Sequence, residues 1–171
     1  MHGTNKELNF NSRKAYTSWV HEKYRIDSTR LFYIAKNSYS NFIHLVVESK
    51  LDYFYGIFEN DSIVLRKSNY LEKNESCIRR VLGEINTISK NNSNKVLQLK
   101  DTTFKSLTFY NIVSDIQLKM QNDNRKKIIL IFSYKAGTIT KNDFEQIQTA
   151  VDQIQGYDLL IISLDNLYDF T

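Results

Sequence analysis

Few residues in this chain have the type and spacing that chemistry requires. Ser133-Tyr134-Lys135 closes the apolar run KKIILIFSYK (126–135), leaving a hydroxyl and an ammonium group two positions apart where that run ends. The single cysteine, Cys77, has no evident activating partner and reads as a buried thiol rather than a nucleophile. His2, His21 and His44 are scattered without a second ligand at helical spacing. No His/Cys metal cluster is therefore expected, and His44 reads as a helix-face residue. Neither GxGxxG nor GxxxxGK[ST] occurs, which removes the phosphate-binding loops. No serine triad is supported.

What Lys135 can do depends on the elements that carry it. The run 126–135 is apolar on successive residues, as a strand covered on both faces should be. TKNDFEQIQTAVDQIQG (140–156) reads as a helix, with Thr140 and Asp143 as a capping box. Phe144, Ile147, Val151 and Ile154 form its apolar stripe, and Gly156 fits the left-handed position past its end. YDLLIISL (157–164) is a second doubly buried strand, so 126–164 predicts a right-handed βαβ unit. Upstream, KVLQLK (95–100) predicts a short strand. Phe109, Ile112, Val113, Ile116 and Met120 recur at i, i+3, i+4, i+7 and i+11, which predicts a helix over 102–121 capped by Asp101. In such a helix Asp115 lies off the apolar face; a strand there would set it beside Lys135.

The first half reads differently. SRKAYTSWVHEKY (12–24) predicts a helix that turns Ala15, Trp19 and Val20, together with Lys23-Tyr24, toward a partner surface. Residues 27–50 predict one or two helices broken near Asn37-Ser38, with Asp27 or Ser28 as cap. YFYGIFENDSIVLRK (53–67) predicts a β-hairpin with a bulge at Gly56, and 74–90 a helix capped by Asn74. The loop NNSN (91–94) is the best internal boundary, dividing a helical and hairpin part (1–90) from an α/β core (91–171) within one compact domain. The fold class is α/β.

With 171 residues, 42% of them hydrophobic, the chain can bury a sizeable core. The net charge of +4 is unevenly spread. Residues 1–90 hold 14 Lys/Arg and 10 Asp/Glu, 91–141 hold 9 and 3, and 142–171 hold none and 6. A basic body over 1–141 can attract phosphate backbones, although no basic cluster is dense. One cysteine cannot make an internal disulfide, no apolar signal core opens the sequence, and no run reaches the ~20 apolar residues of a membrane span. The expectation is a soluble cytoplasmic or nuclear protein.

Residues 115–151 resemble the core of the PD-(D/E)xK nucleases. The resemblance implies Asp115 as the first acid and Mg²⁺ ligand, Lys135 as the lysine that orients the nucleophile, and Gln146 as the helix glutamine. Ser133 stands where that pattern has its second acid; Glu84 or Asp101 are the candidates to replace it. Residues 95–167 also resemble the N-terminal jaw domain of the fifth-largest subunit of eukaryotic nuclear RNA polymerases. The likeness is carried by ILIFSYKAGTIT (129–140) and YDLLIISLDNL (157–167). It implies a βαβαβ, three-layer, restriction-endonuclease-like core that catalyses nothing, needs no cofactor, docks on a protein partner and faces DNA. The expected function is therefore a non-catalytic subunit or adaptor of a nucleic-acid-processing, transcription-like assembly. The alternatives are a metal-dependent nuclease, intact or inactivated, and a small regulatory or inhibitor protein with one protein partner. The adaptor predicts an exposed apolar or aromatic patch, to which YFYGIF (53–58) could contribute.

Overall fold

A computed structural model describes residues 9–48, 54–59, 62–65, 81–83, 85–86, 97–99, 106–118, 125–135 and 141–170. Of 54–59, 62–65 and 97–99 it gives the backbone alone. The elements are helix α1 (Arg13–Tyr24), strand β1 (Leu31–Ile34), helix α2 (Lys36–Glu48), and strands β2 (Phe54–Glu59), β3 (Ser62–Leu65), β4 (Leu97–Leu99), β5 (Phe109–Asn111) and β6 (Lys126–Phe132). Helix α3 (Lys141–Asp152) and strand β7 (Tyr157–Ser163) follow.

The strands form one mixed sheet in the order β4-β3-β2-β6-β7-β1-β5. β6, β7 and β1 are parallel at its centre; β2 pairs antiparallel with β6, and β5 antiparallel with β1. β6–α3–β7 is a βαβ unit with adjacent parallel strands, as the sequence predicts. The hairpin β2–β3 also forms, and its pairing with β6 shifts register between Phe54 and Gly56, where the bulge is expected. β2 lies between β3 and β6, which is a strand's place inside the sheet. Strands from 1–90 (β1–β3) and from 91–171 (β4–β7) interleave in that one sheet.

Alternation along the buried strands decides the two faces. Ile128, Leu130 and Phe132 of β6 join α1 and α3 in one core, through Tyr16, Val20, Tyr24, Phe144, Ile147 and Val151. Ile129 and Ile131 point the other way, against Phe42 and Val46 of α2. Ser12 caps α1 by accepting the Ala15 N–H, and Arg25 ends it in the left-handed region at φ 58°. The buried stripe of α1 is Tyr16, Val20 and Tyr24; Val20 and Tyr24 are as expected, whereas Tyr16 replaces Ala15 one position on, and Trp19 is half-buried beside the stripe. Gly156, at φ 82°, occupies the left-handed turn between α3 and β7 as expected.

Three expectations are corrected. Residues 27–34 are not helical: Asp27 caps a 3₁₀ turn (Ser28–Arg30) and Leu31–Ile34 is strand β1, buried along its whole length. A short aromatic and branched run is ambiguous by periodicity alone, and pairing with β7 and β5 decides it. Residues 109–118 are not a helix either. Phe109–Asn111 is β5, residues 112–114 turn, Asp115 sits at φ 55°, and Gln117 bridges back to Tyr110. The reason is Asn111. Its Oδ1 accepts the Val113 and Ser114 N–H groups, while its Nδ2 donates to the carbonyls of Ser28, Thr29 and Leu31. Of the described residues of the expected face, Phe109 and Ile112 are buried, while Val113 and Ile116 are 66% and 68% exposed. The core therefore does not run βαβαβ from 95 to 164. Within the expected helix 74–90, residues 81–83 and 85–86 are helical and bury Val81 and Ile85. Asn74, Cys77, Glu84, Asp101, Met120 and Thr140 lie outside the described residues, as do the side chains of 53–58.

Candidate functional site

The parallel strands end side by side, and the C-terminal edge of such a group is where α/β sheets assemble sites. Here that edge carries Ser133-Tyr134-Lys135 after β6 and Leu164-Asp165 after β7. Asp165, 8% exposed, is the centre. Its Oδ1 accepts the Ser133 hydroxyl at 2.6 Å. Its Oδ2 accepts the Tyr16 hydroxyl at 2.6 Å and the Tyr134 N–H at 3.0 Å. Ser163, fully buried, lies 2.8 Å from the Tyr16 hydroxyl and 3.3 Å from Oδ2, and its oxygen accepts the Asp165 N–H at 3.1 Å. Tyr16 has one proton and spends it on Asp165. Burial first, then the Asp165 charge and hydrogen bond, push the Tyr16 phenol well above its ordinary value, so it stays a neutral donor. The network ties α1 to the ends of both central strands.

Such a carboxylate is a poor metal ligand, because protein donors already occupy both of its oxygens. The Ser133 hydroxyl points into that carboxylate, and the Lys135 N–H donates to the Ser133 oxygen at 3.2 Å. The Lys135 side chain is exposed, its ammonium 5.8 Å from the Tyr134 ring centroid.

The other expected site residues are not gathered here. β7 and β1 lie between β6 and β5, so the segments carrying Lys135 and Asp115 spring from strands about 14 Å apart. Asp115 is held by Arg13 at 2.7 Å and by the Tyr33 hydroxyl at 2.6 Å. Tyr33 is pushed up to about 12, by burial first and then by its hydrogen bond to Asp115. Gln146 is exposed on the outward side of α3. It is Gln148 that does joining work: its Nε2 donates to the Arg25 carbonyl and its Oε1 accepts the Asp27 N–H. The Mg²⁺ implied by the nuclease resemblance does not fit these residues, since Asp115 is away from Lys135 and Asp165 already accepts from Ser133, Tyr16 and Tyr134. Among the described residues no group of three His, Cys, Asp or Glu side chains could hold a metal ion. Among them, too, no helix is long and apolar enough to cross a membrane.

Known proteins add nothing to this geometry. No family model, no curated protein and no solved structure matches the chain.

Sequence reasoning missed Asp165, Tyr16 and Ser163. The available signal was the Ser-Leu-Asp that closes the apolar run of β7, polar residues where parallel strands end. The opposite strand ends carry a second polar group. Asp158 accepts from Arg125 Nε and from Lys127 Nζ, both at 2.7 Å. Burial raises the Asp158 carboxyl, but the Lys127 and Arg125 hydrogen bonds outweigh it, and the group sits below the ordinary carboxylate range. A depressed carboxyl contributes stability that is present above its unfolded value of about 3.9 and lost as pH falls through the folded one. Asp158→Asn is therefore expected to be less stable than the wild type in urea titrations at pH 5 to 7, with the gap closing below about pH 4.

Proposed function

We propose that this chain is a non-catalytic subunit or adaptor, an α/β domain of restriction-endonuclease-like type that docks onto a larger nucleic-acid-processing, transcription-like assembly. One observation carries this reading: where the nuclease pattern has its second acid, Ser133 gives its hydroxyl to Asp165, and that carboxylate is closed off by Tyr16 and the Tyr134 N–H. A position that would hold a metal in a nuclease serves here to fasten a helix to two strands. Asp115 is likewise committed, to Arg13 and Tyr33. Two further features suit docking. The turn at 112–116 is fixed by Asn111 yet presents Val113 and Ile116 to solvent, a rigid apolar pair of the kind protein contacts use. Residues 1–141 are basic against an acidic 142–171, which suits a nucleic-acid neighbour.

A second reading has one observation in its favour. The carboxylate that meets Ser133 is close to where a migrated acid would stand, so a nuclease using Asp165 with Lys135 is the alternative. A gel shift and cleavage assay on duplex DNA separates the two. The docking reading expects retention at ~50 mM salt that fades steeply toward ~200 mM, and no Mg²⁺-dependent cutting. Cutting that is lost in Lys135→Ala would replace it with the nuclease, and the absence of both retention and cutting would replace it with the regulator of a single protein partner.

A further inference from the structure

The strand ends opposite Asp165 border a cavity of about 430 Å³, within the size range of small-molecule sites. Arg30, Arg125 and Lys127 supply three cations to its lining, and Leu118, Ile154 and Tyr157 supply an apolar and aromatic wall. Two carboxylates face them. Asp158 accepts from Arg125 and Lys127, and Arg125 Nη2 also donates to the Tyr157 carbonyl at 2.7 Å. Asp152 takes Arg30 Nη2 at 2.6 Å, and Asp27, outside the lining, stands 4.0 Å from Arg30 Nε. Arg30 Nη1 is buried and finds no hydrogen-bond acceptor among the described residues, a costly state for a guanidinium donor. Asp152 is 58% exposed, so the partner that now occupies Arg30 can swing into water at little cost.

We propose that this cavity binds the phosphate group of a nucleotide. Arg30 is the fork donor, Arg125 and Lys127 add positive charge beside it, Asp152 yields Arg30 to the ligand, and Leu118, Ile154 and Tyr157 contact the sugar and base. Guanidinium groups match phosphate oxygens two at a time, and an incoming oxygen would supply the acceptor that Arg30 lacks. The site is separate from the Asp165 network and goes beyond the docking reading, which assigns no pocket. The phosphate can come from a free nucleotide or from the end of a nucleic-acid strand.

Calorimetric titration of the full chain with inorganic phosphate, with AMP, and with a short 5′-phosphorylated single-stranded oligonucleotide beside its unphosphorylated twin tests the proposal. Saturable binding of a phosphorylated probe is expected, weakened about tenfold by Arg30→Gln or Arg125→Gln. Asp152→Asn should tighten it several-fold, because the variant removes the competitor for Arg30. Asp169→Asn, the same charge change beside Lys36 at the other strand ends, should leave it unchanged. Tighter binding of AMP than of the oligonucleotide assigns a free nucleotide; preference for the phosphorylated oligonucleotide over its twin assigns a strand end. If Arg30→Gln does not fold by circular dichroism, Arg125→Gln, whose side chain is 52% exposed, carries the test. The proposal is overturned if no phosphorylated probe binds below about 1 mM, if neither arginine variant weakens binding, or if Asp152→Asn and Asp169→Asn act alike. DNA retention in the gel shift without binding here would remove the pocket and leave the docking reading standing.

Discussion

Asp165→Ala is expected to lower the stability of this protein by about 3 to 5 kcal/mol, with a fall in the thermal midpoint of roughly 10 °C. The side chain is nearly buried and receives donors from Tyr16, Ser133 and the Tyr134 backbone, with a longer one from the Ser163 hydroxyl at 3.3 Å. Removing it takes its charged acceptor from the fully buried Tyr16 hydroxyl, leaving that group to the Ser163 oxygen at 2.8 Å, and takes the acceptor of the Ser133 hydroxyl as well. Tyr16→Phe removes a single donor and should cost about 1 to 2 kcal/mol. Combining it with Asp165→Asn should cost less than the sum, because the two groups share one network. The sign matters as much as the size. A carboxylate kept for chemistry is commonly held at a cost to stability, and its removal is neutral or stabilising. Urea titration of Asp165→Ala within about 1 kcal/mol of the wild type would therefore remove the fastening role assigned here.

Phe132→Ala should cost about 3 to 5 kcal/mol by leaving a cavity in the core under α1 and α3. The ring is 1% exposed and meets Tyr24 at 5.3 Å and Phe144 at 5.6 Å, both edge to face. Those contacts join the strand that leads into Ser133 to the two helices above it. Phe132→Leu keeps most of the volume and should cost less than about 1.5 kcal/mol. Equal effects of the two substitutions in chemical denaturation would mean that this aromatic junction is not packed as described.

The legible parts of the sequence are those whose determinants are local. β6, α3 and β7 follow from apolar runs and one amphipathic stripe, the hairpin from its turn residues, and α1 from the helical spacing of apolar residues over 12–24. Leu31–Ile34 was opaque because four apolar residues suit a helix or a strand equally, and strands β7 and β5, far along the chain, settle the matter. The segment 109–118 misled for a different reason. Its apolar spacing is helical, but Asn111 offers the backbone a tighter turn and anchors it on residues 28–31. The candidate site was half visible. Ser133 and Lys135 stood out, whereas Tyr16 lies 149 positions from Asp165 and meets it only when α1 crosses the strand ends. Asp115 failed as its partner because β7 and β1 intervene between the strands that carry them.

The central claim is that Asp165 serves as a fastener, its oxygens engaged by Ser133, Tyr16 and Tyr134, and not as a ligand of a divalent ion. The most direct measurement is the amide ¹H–¹⁵N spectrum of the protein titrated with Mn²⁺, whose paramagnetism broadens signals near its binding site. The Tyr134 amide donates to Asp165 at 3.0 Å and is the reporter. The account predicts that the Tyr134 and Lys135 signals stay sharp at Mn²⁺ concentrations that already broaden exposed carboxylates such as Asp152 and Asp169. Selective broadening of Tyr134 and Lys135, reversed by excess Mg²⁺, would contradict it and make Asp165 a metal ligand.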